Sequence, residues 1–325
     1  MQKRLDANKF MNKLICKRVR QSDSPVIVIT GPTASGKTAI AVKLAKELDG
    51  EIVGADSMQI YKDMNIGTAT PDSCELEGVT HHMLNIVTPD TSYDVAEFCR
   101  DADICIADIL NRGKRVIVAG GTGMYIRVLL KGIHEAPPPD LKIRGNLTKR
   151  ADHEGWPALH RELVLVDKAA ALRIHPNDGV RIVRALEVYL QTGKTMSQWQ
   201  EEHGFLESRY NYLMLGAGCE RAVLNDRINK RVDFMIEAGF VDEVKYLLKA
   251  GYDSSIKPMQ ALGYKRVVQF LNRELTFDEM VENIKTDTRR FAKRQRTWFK
   301  KEPVEWFDNF DKFKSRSELF LSIQR

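Results

Sequence analysis

The sequence predicts an α/β fold, a parallel sheet flanked by helices and interrupted by an inserted helical domain. The first observation is a strand, a glycine-rich loop and a helix in succession: VIVIT (26–30), GPTASGKT (31–38) and AIAVKLAKEL (39–48). The second is a set of further short, continuously apolar strands, EIVGA (51–55), RVIVA (115–119) and YLMLGA (212–217), separated by helical stretches. Strands without polar alternation are buried on both faces, as in a parallel sheet. The third is EAPPPD (135–140), a linker signal after which the chain reads as helix without a strand to residue 205. The expected organisation is a basic tail over 1–24, a core over 25–135 and 206–325, and a helical insertion over 136–205.

Composition narrows the class. In 325 residues, 43% hydrophobic and 29% charged side chains exclude collagen-like, low-complexity and wholly disordered chains. No apolar run approaches the roughly 18 residues of a membrane span. Five scattered cysteines (16, 74, 99, 105, 219), none spaced as CxxC, write neither a disulfide framework nor a cysteine-rich zinc site, so a reducing cytoplasm is expected. The net charge of +6 is unevenly placed: residues 289–301 hold seven basic residues and no acid, and residues 1–24 hold seven against two. The tail has two Asp and no small-residue cleavage site, which argues against a secretory signal. Concentrated basic segments on a nearly neutral body point to a polyanionic partner.

GPTASGKT matches G-x-x-x-x-G-K-[ST] between a strand and a helix, the context in which that pattern forms a P-loop. Gly31 and Gly36 let backbone N–H groups curl round a phosphate, Lys37 reaches terminal oxygens and Thr38 offers a hydroxyl to Mg²⁺. This establishes di- or triphosphate binding without choosing the reaction. Asp56 ends the second strand at the same sheet edge, where a carboxylate serves as a magnesium ligand or as a general base for an acceptor. Position alone does not choose between those roles. Ser57, Met58 and Gln59 beside it suit a planar heterocycle, and GGTG (120–123) after the third strand brings Thr122 toward the same ligand. Adjacent His81 and His82, with no further ligands nearby, read as structural.

Two helices carry arginines that invite an anion. Asn177 or Asp178 caps a helix on which Arg181 and Arg184 project away from the stripe Ile182, Val183, Leu186, Tyr189 and Leu190. On RAVLNDRINKRVDFMIEAG, Arg227 and Arg231 flank the stripe Leu224, Ile228, Val232, Met235 and Ile236, and Arg227 is the expected phosphate partner. As a helix, 289–301 gathers all seven basic side chains within roughly 160° of arc, opposite Phe291, Trp298 and Phe299. That is the pattern of a nucleic-acid backbone contact.

The P-loop, ADSMQIY (55–61), IGT (66–68), VTHHML (79–84), AGGTGMY (119–125), the 174–188 block that opens IHPND and ends RIVRALEV, ALGYKR (261–266) and AKRQRTWFK (292–300) together resemble the bacterial tRNA dimethylallyltransferase family. The blocks run in family order from residue 25 to about 307. The resemblance implies transfer of a dimethylallyl group from dimethylallyl diphosphate to the exocyclic amine of the adenosine 3′ to the tRNA anticodon. It implies Asp56 as general base, Thr33, Ala34, Ser35, Gly36, Lys37 and Thr38 round the diphosphate, and Arg227 on the leaving pyrophosphate. It assigns tRNA contacts to Asp56, Ser57, Met58 and Gln59, to Val180, Arg181 and Arg184, to Gln260, Gly263, Tyr264 and Lys265, and to Lys293, Arg294, Gln295, Arg296 and Trp298. Thr122 and Arg144 are assigned to the substrate channel. The expected partners are the tRNA anticodon arm and dimethylallyl diphosphate, with no membrane, and the expected state is a monomer. A small-molecule kinase accounts for the loop and Asp56 but not for the basic helix. A P-loop prenyltransferase acting on free AMP or ADP also has no need of that helix, and a non-catalytic RNA binder has no need of Lys37, Thr38 and Asp56 together.

Overall fold

A computed structural model describes residues 22–204 and 208–323. Residues 1–21 of the expected basic tail lie outside them. The next residues already belong to the first strand, β1 (Ser22–Thr30), which starts four residues before the sequence suggests. The chain divides into two compact units, Lys131–Ser208 and the rest. The inserted unit is thus a few residues wider at each end than the linker signal indicates.

In the larger unit β1 is joined by β2 (Gly50–Gly54), β3 (His81–His82), β4 (Arg115–Gly120), β5 (Tyr210–Ala217) and β6 (Glu305–Phe307) in the order β3-β2-β4-β1-β5-β6, every pairing parallel. The four inner strands are those expected from sequence. The edge strands, two and three residues long, carry too little pattern to be read.

Helix α1 (Lys37–Leu48) follows the glycine-rich loop, α2 (Ser73–Leu76) precedes β3, α3 (Val95–Asn111) leads into β4 and α4 (Gly123–Lys131) leaves it. Alternation along β1 sends Ile27 and Ile29 into one core with Val42 and Leu44 of α1 and with Phe313 and Phe320 of the last helix (Phe310–Ile323). Val26 and Val28 are equally buried on the opposite face. Each apolar side chain so removed from water contributes roughly 1.5–3 kcal/mol.

At the other end of β2, buried Glu51 meets both Arg112 and, at 2.7 Å, His82 Nε2. His81 Nδ1 lies 2.9 Å from the Val79 carbonyl. The two histidines therefore have structural partners.

The inserted unit contains α5 (Leu141–Glu154), α6 (Trp156–Val166), α7 (Lys168–Ala171), α8 (Gly179–Thr192) and α9 (Met196–His203), closed over Leu147, Leu159, Leu163, Ile182, Leu186 and Val188. Asp178 caps α8, accepting the Arg181 N–H. The chain leaves and re-enters the larger unit at one point: the Arg209 N–H donates to the Leu130 carbonyl at 2.7 Å, and its buried guanidinium binds the Leu129 carbonyl and Asp103. After β5 come α10 (Arg221–Glu237), α11 (Phe240–Lys249), α12 (Tyr264–Leu271) and the long α13 (Phe277–Phe299). No helix among the described residues is long and apolar enough to cross a membrane.

Candidate active site at the carboxyl edge of the sheet

The site is built where β1, β2 and β4 end. In the loop after β1, Ala34 (φ 63) and Gly36 (φ 87) take left-handed backbone, turning successive N–H groups inward as an anion nest. Glycine at 36 adopts that angle without a Cβ penalty. No side chain caps the first turn of α1, so its free N–H groups and positive dipole end face whatever the loop holds. Gly31, Thr33, Ala34, Ser35, Gly36, Lys37 and Thr38 all lie in this loop and turn. Ser35 offers backbone only, since its hydroxyl is buried beneath Gly31. Ala34 packs against Leu224, Ile228 and Ala292, which seats the loop on α10 and α13.

Two cations converge on the loop. Burial lowers the Lys37 pKa to about 8, opposed by the nearby Asp56 charge and reinforced by that of Arg231. Arg231 Nη1 lies 3.3 Å from Thr33 Oγ1. Burial pushes the Arg231 pKa below its ordinary value, with Glu75 and Asp56 opposing, and among the described residues no carboxylate closes an ion pair with it. A desolvated cation pair that no ion pair among the described residues closes, beside an anion nest, is electrostatically suited to a phosphate group. Arg227, the arginine expected there, is exposed on α10. Ile228 and Val232 face the core, and it is Arg231, one turn on, that the helix carries over Thr33.

The acceptor side is tied together by backbone. Asp56 Oδ1 accepts the Met58 N–H at 2.9 Å, fixing the carboxylate, while Oδ2 accepts no hydrogen bond among the described residues. Thr122 donates its own N–H to the Ala55 carbonyl, and its hydroxyl accepts the Ser57 N–H at 3.0 Å. Thr122 and Asp56 thus share one turn. Gln59 is spent internally, its Nε2 donating to Ala69 O at 2.9 Å.

Farther along the same loop, Glu243 of α11 accepts the N–H groups of Asn65, Ile66 and Gly67 at 2.8, 2.7 and 3.0 Å, and the Tyr264 hydroxyl donates to it at 2.7 Å. Tyr264 is fully buried, so its expected contact with tRNA is replaced by this structural one. Gly263 is also buried, Gln260 donates to the Ser254 carbonyl, and Lys265 is exposed.

On α13, Lys293 and Arg294 are exposed and Arg296 half-buried, none in an ion pair among the described residues. Arg127, Arg290, Lys293, Arg294, Thr297, Trp298 and Lys301 line a groove of about 510 Å³. The Arg127 guanidinium stacks 4.3 Å from the Trp298 ring and also binds Glu302. Arg289, counted with the basic face from sequence, instead donates to Asn229 at 2.6 Å. Gln295 is turned inward: it is buried and joins two loops.

Within the inserted unit, Val180 and Arg181 are exposed, with Arg181 paired to Asp178 at 2.5 Å. Arg144 and Arg184 are not free for an anion. Both bind the fully buried Glu187, at 2.9 and 2.7 Å, and Arg184 also donates to Pro137 O. A buried carboxylate must be paired, and these two arginines meet that requirement. Sequence reasoning missed Arg127, counted Lys301 in the basic face without singling it out, and saw Arg231 only as one of two arginines at a stripe edge.

The parallel sheet, nest, lysine and strand-end carboxylate define an α/β protein of the P-loop type with a phosphate-directed active site. The sequence profile of the IPP transferase family matches residues 59–302, and the chain belongs to that family. It is 51% identical over 284 residues to a tRNA dimethylallyltransferase 2 of Geotalea daltonii, covering 87% of each chain. It is 48% identical to a tRNA dimethylallyltransferase of Geobacter sulfurreducens over 92% of this chain and 98% of that one. Among solved structures, the tRNA delta(2)-isopentenylpyrophosphate transferase of Staphylococcus epidermidis aligns with a TM-score of 0.68 at 38% identity, covering 93% of this chain and 99% of the other. A eukaryotic dimethylallyltransferase acting on tRNA aligns with a TM-score of 0.77 at 30% identity, over 91% and 78%.

Proposed function

We propose that the protein transfers a dimethylallyl group from dimethylallyl diphosphate to the exocyclic amine of the tRNA adenosine 3′ to the anticodon, releasing pyrophosphate. The observation that carries this is the facing of Asp56 and the Lys37–Arg231 cation pair at one sheet edge, with a basic groove on α13 of the same unit. The diphosphate is held by the nest N–H groups, Lys37 and Arg231. Thr38, in the first turn of α1, supplies a hard oxygen of the kind Mg²⁺ takes with phosphate oxygens and water. The ion, when bound, neutralises charge on the diphosphate.

The allylic carbon–oxygen bond breaks and its electrons leave on pyrophosphate, where Lys37, Arg231 and the loop amides meet charge as it develops. The adenine amine, weakly nucleophilic because it is conjugated to its ring, forms the new carbon–nitrogen bond. Its proton passes to Asp56 Oδ2, the carboxylate oxygen without a hydrogen bond among the described residues. The base must leave its stack to reach this turn. Lys293, Arg294 and Arg296 hold tRNA phosphates, and the enzyme acts as a monomer in the cytoplasm, where its substrate is.

The test is incubation with labelled dimethylallyl diphosphate and either tRNA or AMP, followed by mass spectrometry of the nucleosides. Prenylated adenosine from tRNA is expected, and phosphoryl transfer from ATP is not. Asp56→Asn should keep tRNA affinity within a few-fold while transfer falls at least about 10²-fold. Loss of Mg²⁺ affinity with near-normal turnover would make Asp56 a metal ligand instead.

A further inference from the structure

We propose that Gln295 is a positioning residue that sets the separation between the donor loop and the acceptor loop, an inference that rests on the prenyl-transfer reading of the site. Its side-chain carbonyl accepts the Thr33 N–H at 2.8 Å, and its amide Nε2 donates to the Gly121 carbonyl at 3.0 Å. Thr33 belongs to the loop that holds the leaving group. Gly121 is next to Thr122, whose hydroxyl holds Ser57 beside the base Asp56.

One carboxamide therefore spans the two halves of the reaction. Only a group that both donates and accepts satisfies these two partners, and the pairing fixes which end of the amide faces which loop. The approach is close enough that a Cβ at Gly121 would sit 2.3 Å from Gln295 Nε2 and displace it from its hydrogen bond.

The helix that carries Gln295 is a firm reference. Thr276 caps it, Arg266 pairs with its Asp287 at 2.9 Å, and its Arg289 donates to Asn229 of α10. One turn after Gln295, Trp298 lies against Gly123, so the same helical face touches the acceptor loop twice. The neighbouring Arg294 is exposed and Arg296 half-buried. Gln295 thus belongs to the catalytic geometry, although its helix is the one that presents charge to the nucleic acid. Bond formation between two bound reactants is steep in their separation, and a misplacement near 1 Å costs about 10²-fold.

Gln295→Met keeps the volume and removes both hydrogen bonds; Gln295→Glu keeps the acceptor for Thr33 and sets a carboxylate against the Gly121 carbonyl. Each should lower kcat by about 10²-fold while KM for dimethylallyl diphosphate, tRNA affinity and the salt dependence of tRNA binding stay within a few-fold. Hydrogen exchange at the Thr33 amide should quicken in Gln295→Met and not in Gln295→Glu. Wild-type kcat in Gln295→Met overturns the proposal. So does a weakened tRNA affinity with normal kcat, which would make Gln295 a direct RNA contact. A kcat loss that follows a fall in Tm and vanishes well below it would reduce the residue to a structural role. If the wild-type protein transfers no prenyl group, the functional reading fails by itself, whereas unchanged Thr33 exchange in Gln295→Met refutes the tie independently.

Discussion

Arg231 Nη1 stands 3.3 Å from Thr33 Oγ1, so a helix 198 residues later in sequence delivers a cation to the rim of the phosphate loop. Arg231→Ala should lower kcat by about 10²–10³-fold, the usual loss when one donor to developing oxyanion charge is removed. Arg227→Ala should stay within a few-fold in steady-state transfer assays. Equal losses in the two variants would restore the sequence-based assignment.

Lys37, lowered to about 8 by burial, is partly neutral in the free protein above that pH. A bound diphosphate restores its charge, so binding above pH 8 takes up a proton. Pyrophosphate affinity should fall as pH rises through 8, and calorimetry in buffers of different ionisation enthalpy should show the uptake. Lys37→Met should bind weakly and lack this part of the pH dependence, a difference that separates the lysine from titration of pyrophosphate itself.

Replacing Lys293, Arg294 and Arg296 by Ala should weaken tRNA binding and flatten its logarithmic salt slope by about two, at roughly 0.7 for each single-strand phosphate contact. Filter binding across a salt series reads this directly. An unchanged slope would leave α13 as a solvated face.

Glu51 predicts an acid-sensitive fold. Its hydrogen bonds with Arg112 hold its pKa down to about 2, against burial, with His82 adding to the effect. A carboxyl depressed in the folded state stabilises above its unfolded value, near 4.5, and that contribution is lost as pH falls toward 2. Glu51→Gln should be less stable at neutral pH and show a shallower loss between pH 4.5 and 2 in denaturant titrations.

The inner strands were legible because burial on both faces writes an unbroken apolar run. The phosphate loop was legible because its glycines and lysine must occur at fixed spacing. Partner choice was not. Arg184 read as free for an anion, and the resemblance placed Arg144 in the substrate channel, because the i,i+3 spacing that puts Glu187 within reach of Arg184 does not reveal that this carboxylate is fully buried and held by both arginines. The resemblance assigned Tyr264 to tRNA, and the partner that holds it inside, Glu243, lies on a different helix. Gln295 sits in a strongly basic run, yet the atoms that explain it are the backbone N–H of Thr33 and the carbonyl of Gly121, 262 and 174 residues away. Backbone partners at such distances leave no trace in side-chain pattern.

The hydrogen bond from Arg209 to Leu130 makes the Lys131–Ser208 unit a cassette with adjoining ends. A tether across that gap needs only a tight turn, because the two ends are already at bonding distance. Each halving of a closed loop recovers about 0.6 kcal/mol of chain entropy. Excision with a short glycine-containing turn therefore removes no residue of the sheet, the nest or the Lys37–Asp56 edge, and other helical modules can be spliced at the same point.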